Sequence, residues 1–182
     1  MKIINLVEEA RALLKKGGVL AYPTEAVYGL GCDPFNQHAV EKIGILKHRS
    51  MSKGLILLIA DWSQLMPLIG FVTDAQLDSV RATWPGPVTW VFPKSNLIPE
   101  WLSGQHDGIA IRMTAHPVSR ALCTEGPVVS TSANISGNVP VVDLLHLQEL
   151  FPQGVDAVLA GDLGGLSQPS SIFDVRSGIR LR

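Results

Sequence analysis

Lys47, Arg49 and Lys53 stand in a stretch with no acidic residue between Glu41 and Asp61. They leave a predicted helix and enter a loop ahead of an apolar strand. Such a trio suits a polyphosphate, because a guanidinium grips oxygens bidentately and an ammonium acts as a point charge. The trio equally fits a solvated helix end, where the dipole favours cations; that second reading is adopted for the neighbouring Lys42. A second cluster follows the apolar run Pro127–Val129: Ser130, Thr131, Ser132, Asn134 and Ser136, with no charged residue from Pro127 to Val142. Ligands of open α/β sheets bind beyond strand ends, and short hydroxyls there can hold phosphate, carboxylate or base edges. A self-bonded Ser/Thr/Asn turn is the alternative. The third place is Tyr22-Pro23-Thr24-Glu25 followed by Tyr28-Gly29-Leu30-Gly31. Its glycines would admit a ligand close to the backbone, and a plain turn explains them as well. Arg112 with His116, and Ser170-Ser171, are smaller candidates; His116 precedes Pro117 and could cap a helix.

Composition limits what these groups can serve. The 182 residues include 15 Lys+Arg and 16 Asp+Glu, a net charge of −1, and only 17% are charged, against roughly 25% in average domains. A general nucleic-acid coat needs surplus cations, and 6% aromatics leave little for base stacking. High apolar content argues against disorder. The N-terminus has Glu8 and Glu9 and no cleavage-site pattern, so no signal peptide is expected. The longest uncharged apolar run, Gly54 to Ala60, is far short of the ~20 residues of a membrane helix. Cys32 and Cys123 match no metal or redox spacing and read as buried thiols of a cytoplasmic protein.

The elements that must position the clusters alternate. Asn5 with Glu8 predicts a capped helix carrying Leu6, Ala10, Leu13 and Leu14, ended by Gly17-Gly18. Further helices are expected after Asn36, after Asp61 (with Gln64), after Thr73 (with Gln76), over Pro117–Cys123 and over Val142–Phe151. Strands are expected over Val19–Tyr22, Leu55–Ala60, Val88–Phe92, Ile109–Met113, Val128–Thr131, Val155–Ala160, Ile172–Val175 and Ile179–Leu181. Strands and helices interleaved in this way predict one α/β or α+β domain over residues 1–182.

Ser50-Met-Ser-Lys53 matches S-x-x-K, and Ser132-Ala-Asn134 loosely matches the S-D-N element of penicillin-binding enzymes. The K-T-G strand they require is missing, and Gly54 and a strand follow Lys53 where a helix should run. A different set of blocks fits better. Pro23-Thr24-Glu25, Lys47-x-Arg49, Lys53-Gly54-Leu55, Trp84-Pro85-Gly86-Pro87, Arg112-x-x-x-His116-Pro117, Ser130-Thr131-Ser132-Ala133-Asn134-x-Ser136-Gly137 and Pro169-Ser170 occur in that order. Together they resemble the YrdC-like family of threonylcarbamoyl-AMP synthases, in its short bacterial form, with no further domain expected after Arg182.

The resemblance implies a twisted, mostly non-parallel sheet with flanking helices and a concave basic cavity. It implies an enzyme that joins L-threonine, bicarbonate or CO2, and ATP into threonylcarbamoyl-adenylate and pyrophosphate. A partner complex would pass the threonylcarbamoyl group to adenosine 37 of tRNAs reading ANN codons. By motif, Thr24, Ser130, Ser170 and His116 are assigned to threonine. Lys47, Arg49 and Lys53 are assigned to phosphates or the carbamate. Arg112, Ser132, Asn134, Ser136 and Arg182 join Lys47 and Arg49 on the nucleotide side. No acidic cluster offers a metal site, so Mg2+ is expected to arrive on the ATP phosphates. A mobile loop around Ser50–Lys53 would shelter the adenylate. A module that binds tRNA or double-stranded RNA through the cationic window, without catalysis, is the alternative.

Overall fold

The computed structural model describes residues 1–182. Its elements run β1 (Lys2–Ile4), α1 (Val7–Lys15), β2 (Leu20–Pro23), β3 (Tyr28–Gly31), α2 (Gln37–Leu46), β4 (Ile56–Ile59), α3 (Asp74–Arg81) and β5 (Val88–Pro93). They continue with α4 (Glu100–Ser103), β6 (Gly108–Met113), α5 (Pro117–Leu122), β7 (Val128–Ser132), α6 (Leu144–Leu150), β8 (Ala157–Leu159) and β9 (Ser171–Asp174). Single 3-10 turns lie at Met51–Lys53, Trp62–Gln64 and Met66–Leu68.

The strands form one nine-stranded sheet in the order β1-β8-β2-β3-β7-β4-β6-β5-β9. It is mixed. The β1–β8, β2–β8, β4–β6 and β5–β9 pairs are parallel; the β2–β3, β3–β7, β4–β7 and β5–β6 pairs are antiparallel. The uninterrupted apolar run of β4 has the reason expected of a strand buried on both faces. Leu57 and Ile59 join the larger core cluster, whereas Leu58 joins a smaller one with Leu20 and Tyr22 of β2.

Local signals account for several ends. Thr73 and Gln76 form a complete capping box at α3, and Asn36 caps α2 by accepting from Ala39 N–H. Gly17, at φ 80°, ends α1, with its N–H bonded to Leu14 O and Gly18 N–H to Leu13 O. At the other end of α1 the expected Asn5 box is absent. Leu6 occupies the N-cap without a side-chain bond, so Glu8 and Glu9 near the positive dipole end supply the favourable contact there.

Two further expectations need correction. Tyr28–Gly31 is a strand rather than a turn; Gly29 does border a cavity, but Gly31 does not. A Cβ on Gly31 would lie 2.3 Å from Val129 O and 2.7 Å from Tyr22 Cε1, so this glycine serves close strand packing. Ile179–Leu181 makes a single bridge, Phe173↔Arg180. Gly178, at φ 69°, turns the tail back, and Ile172 O accepts from both Leu181 and Arg182 N–H. β1 and α4, of three and four residues, are too short to show a periodicity in the sequence.

The link from β8 to β9 matters most for the site. β8 lies next to one sheet edge and β9 forms the other. The chain over 160–170 must therefore cross the sheet, and it does so as an extended strap.

Candidate functional site

A cavity of about 590 Å³ opens beneath that strap. The turn after β2, the end of β7, the 3-10 turn at Met51–Lys53, Arg112 of β6, the start of β9 and the C-terminal residues Leu181 and Arg182 all border it. Arg49, Lys53, Arg112 and Arg182 line it, as do the acids Glu25, Asp107 and Asp174. Each acid is engaged. Asp107 takes Arg176 at 3.1 Å, Asp174 accepts from Ser177 N–H and Oγ–H, and Glu25 pairs with Arg112.

Burial lowers the pKa of Arg49, and the charge of Arg182 adds to the shift. Arg182 is lowered likewise by burial, then by the charge of Arg112. Cations that depress one another in a sheltered space are relieved by an anion between them.

Lys47 sits behind this wall, only 2% exposed. Its ammonium donates to Ser132 O, to Asn134 O at 2.9 Å and to Asn134 Oδ1 at 3.0 Å. All three acceptors are neutral. With no carboxylate to offset desolvation, burial brings the ammonium down to about 8, and Arg49 adds to the shift. Asn134 is itself fixed. Its Oδ1 also accepts from Ser132 Oγ at 2.6 Å, and its Nδ2 donates to Ile135 O and Asn138 O. Ser136 N–H closes the arrangement onto Lys47 O at 2.8 Å. The end of α2 and the end of β7, some 85 residues apart, are thus locked together.

A second buried cation is compensated differently. The guanidinium of Arg112 contacts Glu25 through Nη1, and the side chains are 8% and 10% exposed. Glu25 Oε1 accepts from Thr114 Oγ–H at 2.8 Å and Ala115 N–H at 3.3 Å. Burial pushes the Glu25 carboxyl up, but the charge of Arg112 and the hydrogen bonds from Arg112 and Thr114 outweigh it. The group is left below its ordinary range. Arg112 Nε is buried and has no hydrogen-bond partner.

The remaining sequence candidates divide. Thr24, Ser130, Ser132 and Ser170 all line the cavity. Thr24 Oγ–H is spent on Val27 O at 2.6 Å, which leaves its oxygen as an acceptor. Ser170 Oγ shares a 2.9 Å hydrogen bond with Thr89 Oγ1, and Ser170 O accepts from Arg182 Nη2 at 3.0 Å. Asn134 and Ser136 lie behind the wall with Lys47. His116 stands outside the cavity. It caps α5, its Nδ1 accepting from Ser119 N–H, so Nε2 carries the proton and donates to Asp162 O at 2.9 Å.

The Ser50–Lys53 segment is a turn docked on α4 rather than a free loop. Gln105 N–H bonds Ser52 O, and Leu55 N–H bonds Leu102 O. Gly54 and Gly104, both at positive φ, let the two backbones meet; a Cβ on Gly104 would lie 2.3 Å from Ser52 O.

Sequence reasoning gave Glu25 no role. A carboxylate directly after a strand-ending Pro-Thr, in a charge-poor chain, is the signal that marks it. Its partner lies in β6 and is not visible along the chain.

Comparison with known proteins places the geometry in context. The family model Sua5_yciO_yrdC, described as telomere recombination, matches residues 12–182. A protein of Methylococcus capsulatus named threonylcarbamoyl-AMP synthase is 50% identical, over 93% of this chain and 92% of its own. One of Coxiella burnetii with the same name is 47% identical, over 97% of this chain and 96% of its own. Among solved structures, P. abyssi Sua5 complexed with L-threonine has a TM-score of 0.91 at 30% identity. That match covers 99% of this chain and 56% of that one, so the present chain spans little more than half of it. E. coli YciO, at 23% identity and a TM-score of 0.82, shares the fold over 95% of this chain and 87% of its own.

Proposed function

The chain belongs to the Sua5/YciO/YrdC family, and from that membership and the cavity we propose that it is a threonylcarbamoyl-AMP synthase. It consumes L-threonine, bicarbonate or CO2, and ATP, and releases threonylcarbamoyl-adenylate and pyrophosphate. The observation that carries this reading is a cavity lined by Arg49, Lys53 and Arg182, none of them paired with a carboxylate, while Glu25 is taken by Arg112 and Asp107 by Arg176. Its hydroxyl-bearing side, Thr24, Ser130 and Ser170, suits a small amino acid.

The chemistry follows from the charges. The unprotonated amine of threonine adds to CO2 and loses a proton, giving a carbamate. A carbamate oxygen attacks the α-phosphorus of ATP; the bond to the β-phosphate oxygen breaks and pyrophosphate leaves. Carbamate, threonine carboxylate and triphosphate repel one another. Fixed cations in a sheltered site offset that repulsion without rearranging during the reaction, and positioning does most of the rest.

Arg49, Lys53 and Arg182 face the phosphates, and Lys47 adds positive potential from behind Ser132. Ser132 borders the nucleotide side, with Asn134 and Ser136 acting from behind it by fixing Lys47, and Thr24, Ser130 and Ser170 form the threonine side. Arg112, assigned by motif to the nucleotide, stands with the threonine group instead, because Glu25 neutralises it. His116 acts by holding α5 and the strap. Mg2+ enters with the triphosphate, whose oxygens are its usual ligands, since the cavity's own carboxylates are engaged by Arg112, Arg176 and Ser177.

Residues 1–182 work as one domain in the cytoplasm, and the adenylate passes to a threonylcarbamoyl transferase complex acting on adenosine 37 of tRNAs reading ANN codons. The test is product identification. With labelled bicarbonate and threonine, one adenylate carrying both labels should form. An unlabelled or singly labelled product removes the reading.

A further inference from the structure

We propose that Tyr22 is a positioning residue for Ser130: its phenol, anchored on Val129 O, draws the Ser130 hydroxyl proton inward and so offers the Ser130 oxygen to the cavity as an acceptor for a donor group of the amino-acid substrate. The inference rests on the synthase reading above and deepens it, since it names a residue beneath the cavity floor that never touches the substrate.

The sequence builds the route for the ring. Tyr22 on β2 is paired with Gly29 on β3, and directly paired residues of neighbouring strands face the same side. A Cβ on Gly29 would lie 3.4 Å from Tyr22 Cζ, and one on Gly31 would lie 2.7 Å from Tyr22 Cε1. With both side chains missing, the ring lies across β3, fully buried, and its hydroxyl reaches β7, the next strand in the sheet. There it donates to Val129 O at 3.2 Å. Val129 directly precedes Ser130, which lines the cavity.

A phenol has one proton. Spent on Val129 O, it leaves the Tyr22 oxygen able only to accept, and Ser130 Oγ–H is the donor beside it. The phenol's pKa carries the trace of that contact: burial pushes it up, the Cys123 thiol adds to the rise, and the hydrogen bond with Ser130 opposes it. Thr24 reaches the same state by another route, its Oγ–H committed to Val27 O at 2.6 Å. Two hydroxyls on the threonine side thus point their protons into the protein and their lone pairs into the cavity. Such a pair accepts from an amine or a hydroxyl and repels phosphate oxygens, which keeps the triphosphate with Arg49, Lys53 and Arg182. Without the phenol, the Ser130 hydroxyl would rotate and could donate to either substrate. A polar group built to pair with one substrate discriminates strongly against another that leaves it unpaired.

The experiment is a double-mutant cycle on Tyr22→Phe and Ser130→Ala, with KM for threonine and for ATP taken from steady-state pyrophosphate release. Tyr22→Phe keeps the ring and removes the oxygen. It should raise the threonine KM about fivefold and leave the ATP KM within about twofold. In the Ser130→Ala background the same change should move the threonine KM by less than about 1.5-fold, because its effect runs through Ser130. A wild-type threonine KM in Tyr22→Phe would overturn the proposal, as would two effects that multiply in full. Threonine and ATP KM rising together would also overturn it, as the mark of a merely structural role. If Tyr22→Phe does not fold, 3-fluorotyrosine is placed at position 22 in a Tyr28→Phe chain, which removes the only other tyrosine. Its fluorine resonance should shift when threonine saturates the site, and the shift should vanish with Ser130→Ala. An unchanged resonance, or an equal shift without the Ser130 hydroxyl, overturns the proposal. The wild type separates the two levels. No threonine-dependent pyrophosphate release there would sink the synthase reading and this inference with it, whereas normal release with an unaffected Tyr22→Phe would sink only the role of Tyr22.

Discussion

Lys47 and Arg112 are two buried cations beside the same cavity, and they are compensated in opposite ways. Lys47 is held by neutral oxygens of Ser132 and Asn134, so no carboxylate offsets its charge, and burial reduces its pKa to about 8. Arg112 is instead paired with a carboxylate, that of Glu25, and its enclosed Nε has no hydrogen-bond partner. The first arrangement delivers positive potential and suits polyanions. The second cancels most of the charge that it buries.

The comparison breaks most visibly in stability. Arg112→Leu strands a buried carboxylate, so unfolding free energy at pH 7 should fall by about 3–5 kcal/mol. Lys47→Met strands only neutral acceptors and should cost about 1–3 kcal/mol. Urea melts measure both. The deficit of Arg112→Leu should shrink toward low pH. Without Arg112, burial raises the Glu25 carboxyl instead of lowering it, so the variant's folded state takes up a proton sooner than the wild type does.

Turnover reverses the order. Lys47→Met should lower kcat by about 10²–10³-fold, the scale for losing one preorganised electrostatic contact, and Arg49→Ala by at least ~10²-fold. Steady-state pyrophosphate release measures both, and near-wild-type rates would remove these residues from the reaction.

The pH profile sharpens the contrast further. The charge on Lys47 is complete below its folded pKa and is lost as pH rises through about 8. With threonine saturating, kcat/KM for ATP should therefore decline above pH 8, approaching tenfold per unit. A profile flat to pH 9.5 would deny Lys47 its role as a charge. The smallest effect belongs to Arg182→Ala. Its guanidinium also bonds Ser170 O, so a several-fold rise in the ATP KM is expected, without the pH limb changing.

How far the sequence reveals this depends on how local each feature is. The capping box at Thr73 and Gln76 and the doubly buried run of β4 are set by neighbouring residues, and both were readable. The segments of Lys47 and of Ser132 and Asn134 were each marked by the absence of acids around one and of charge around the other, but that they share one site came from the family resemblance. The Glu25–Arg112 pair was not readable, since its members lie on different strands and each looks ordinary alone. Glycines mislead for the same reason. Gly29 and Gly31 both read as room for a ligand; Gly29 does line the cavity, while the space at Gly31 is taken by Tyr22 and β7. His116 resembled a ligand by motif, yet both ring nitrogens are committed to α5 and the strap.

The central claim is that this cavity joins three anionic partners in one reaction, and pyrophosphate release tests it most directly. With purified protein and ATP, release should require threonine and bicarbonate together and fall to background when either is omitted. Release from ATP alone, or with only one of the two, would contradict it.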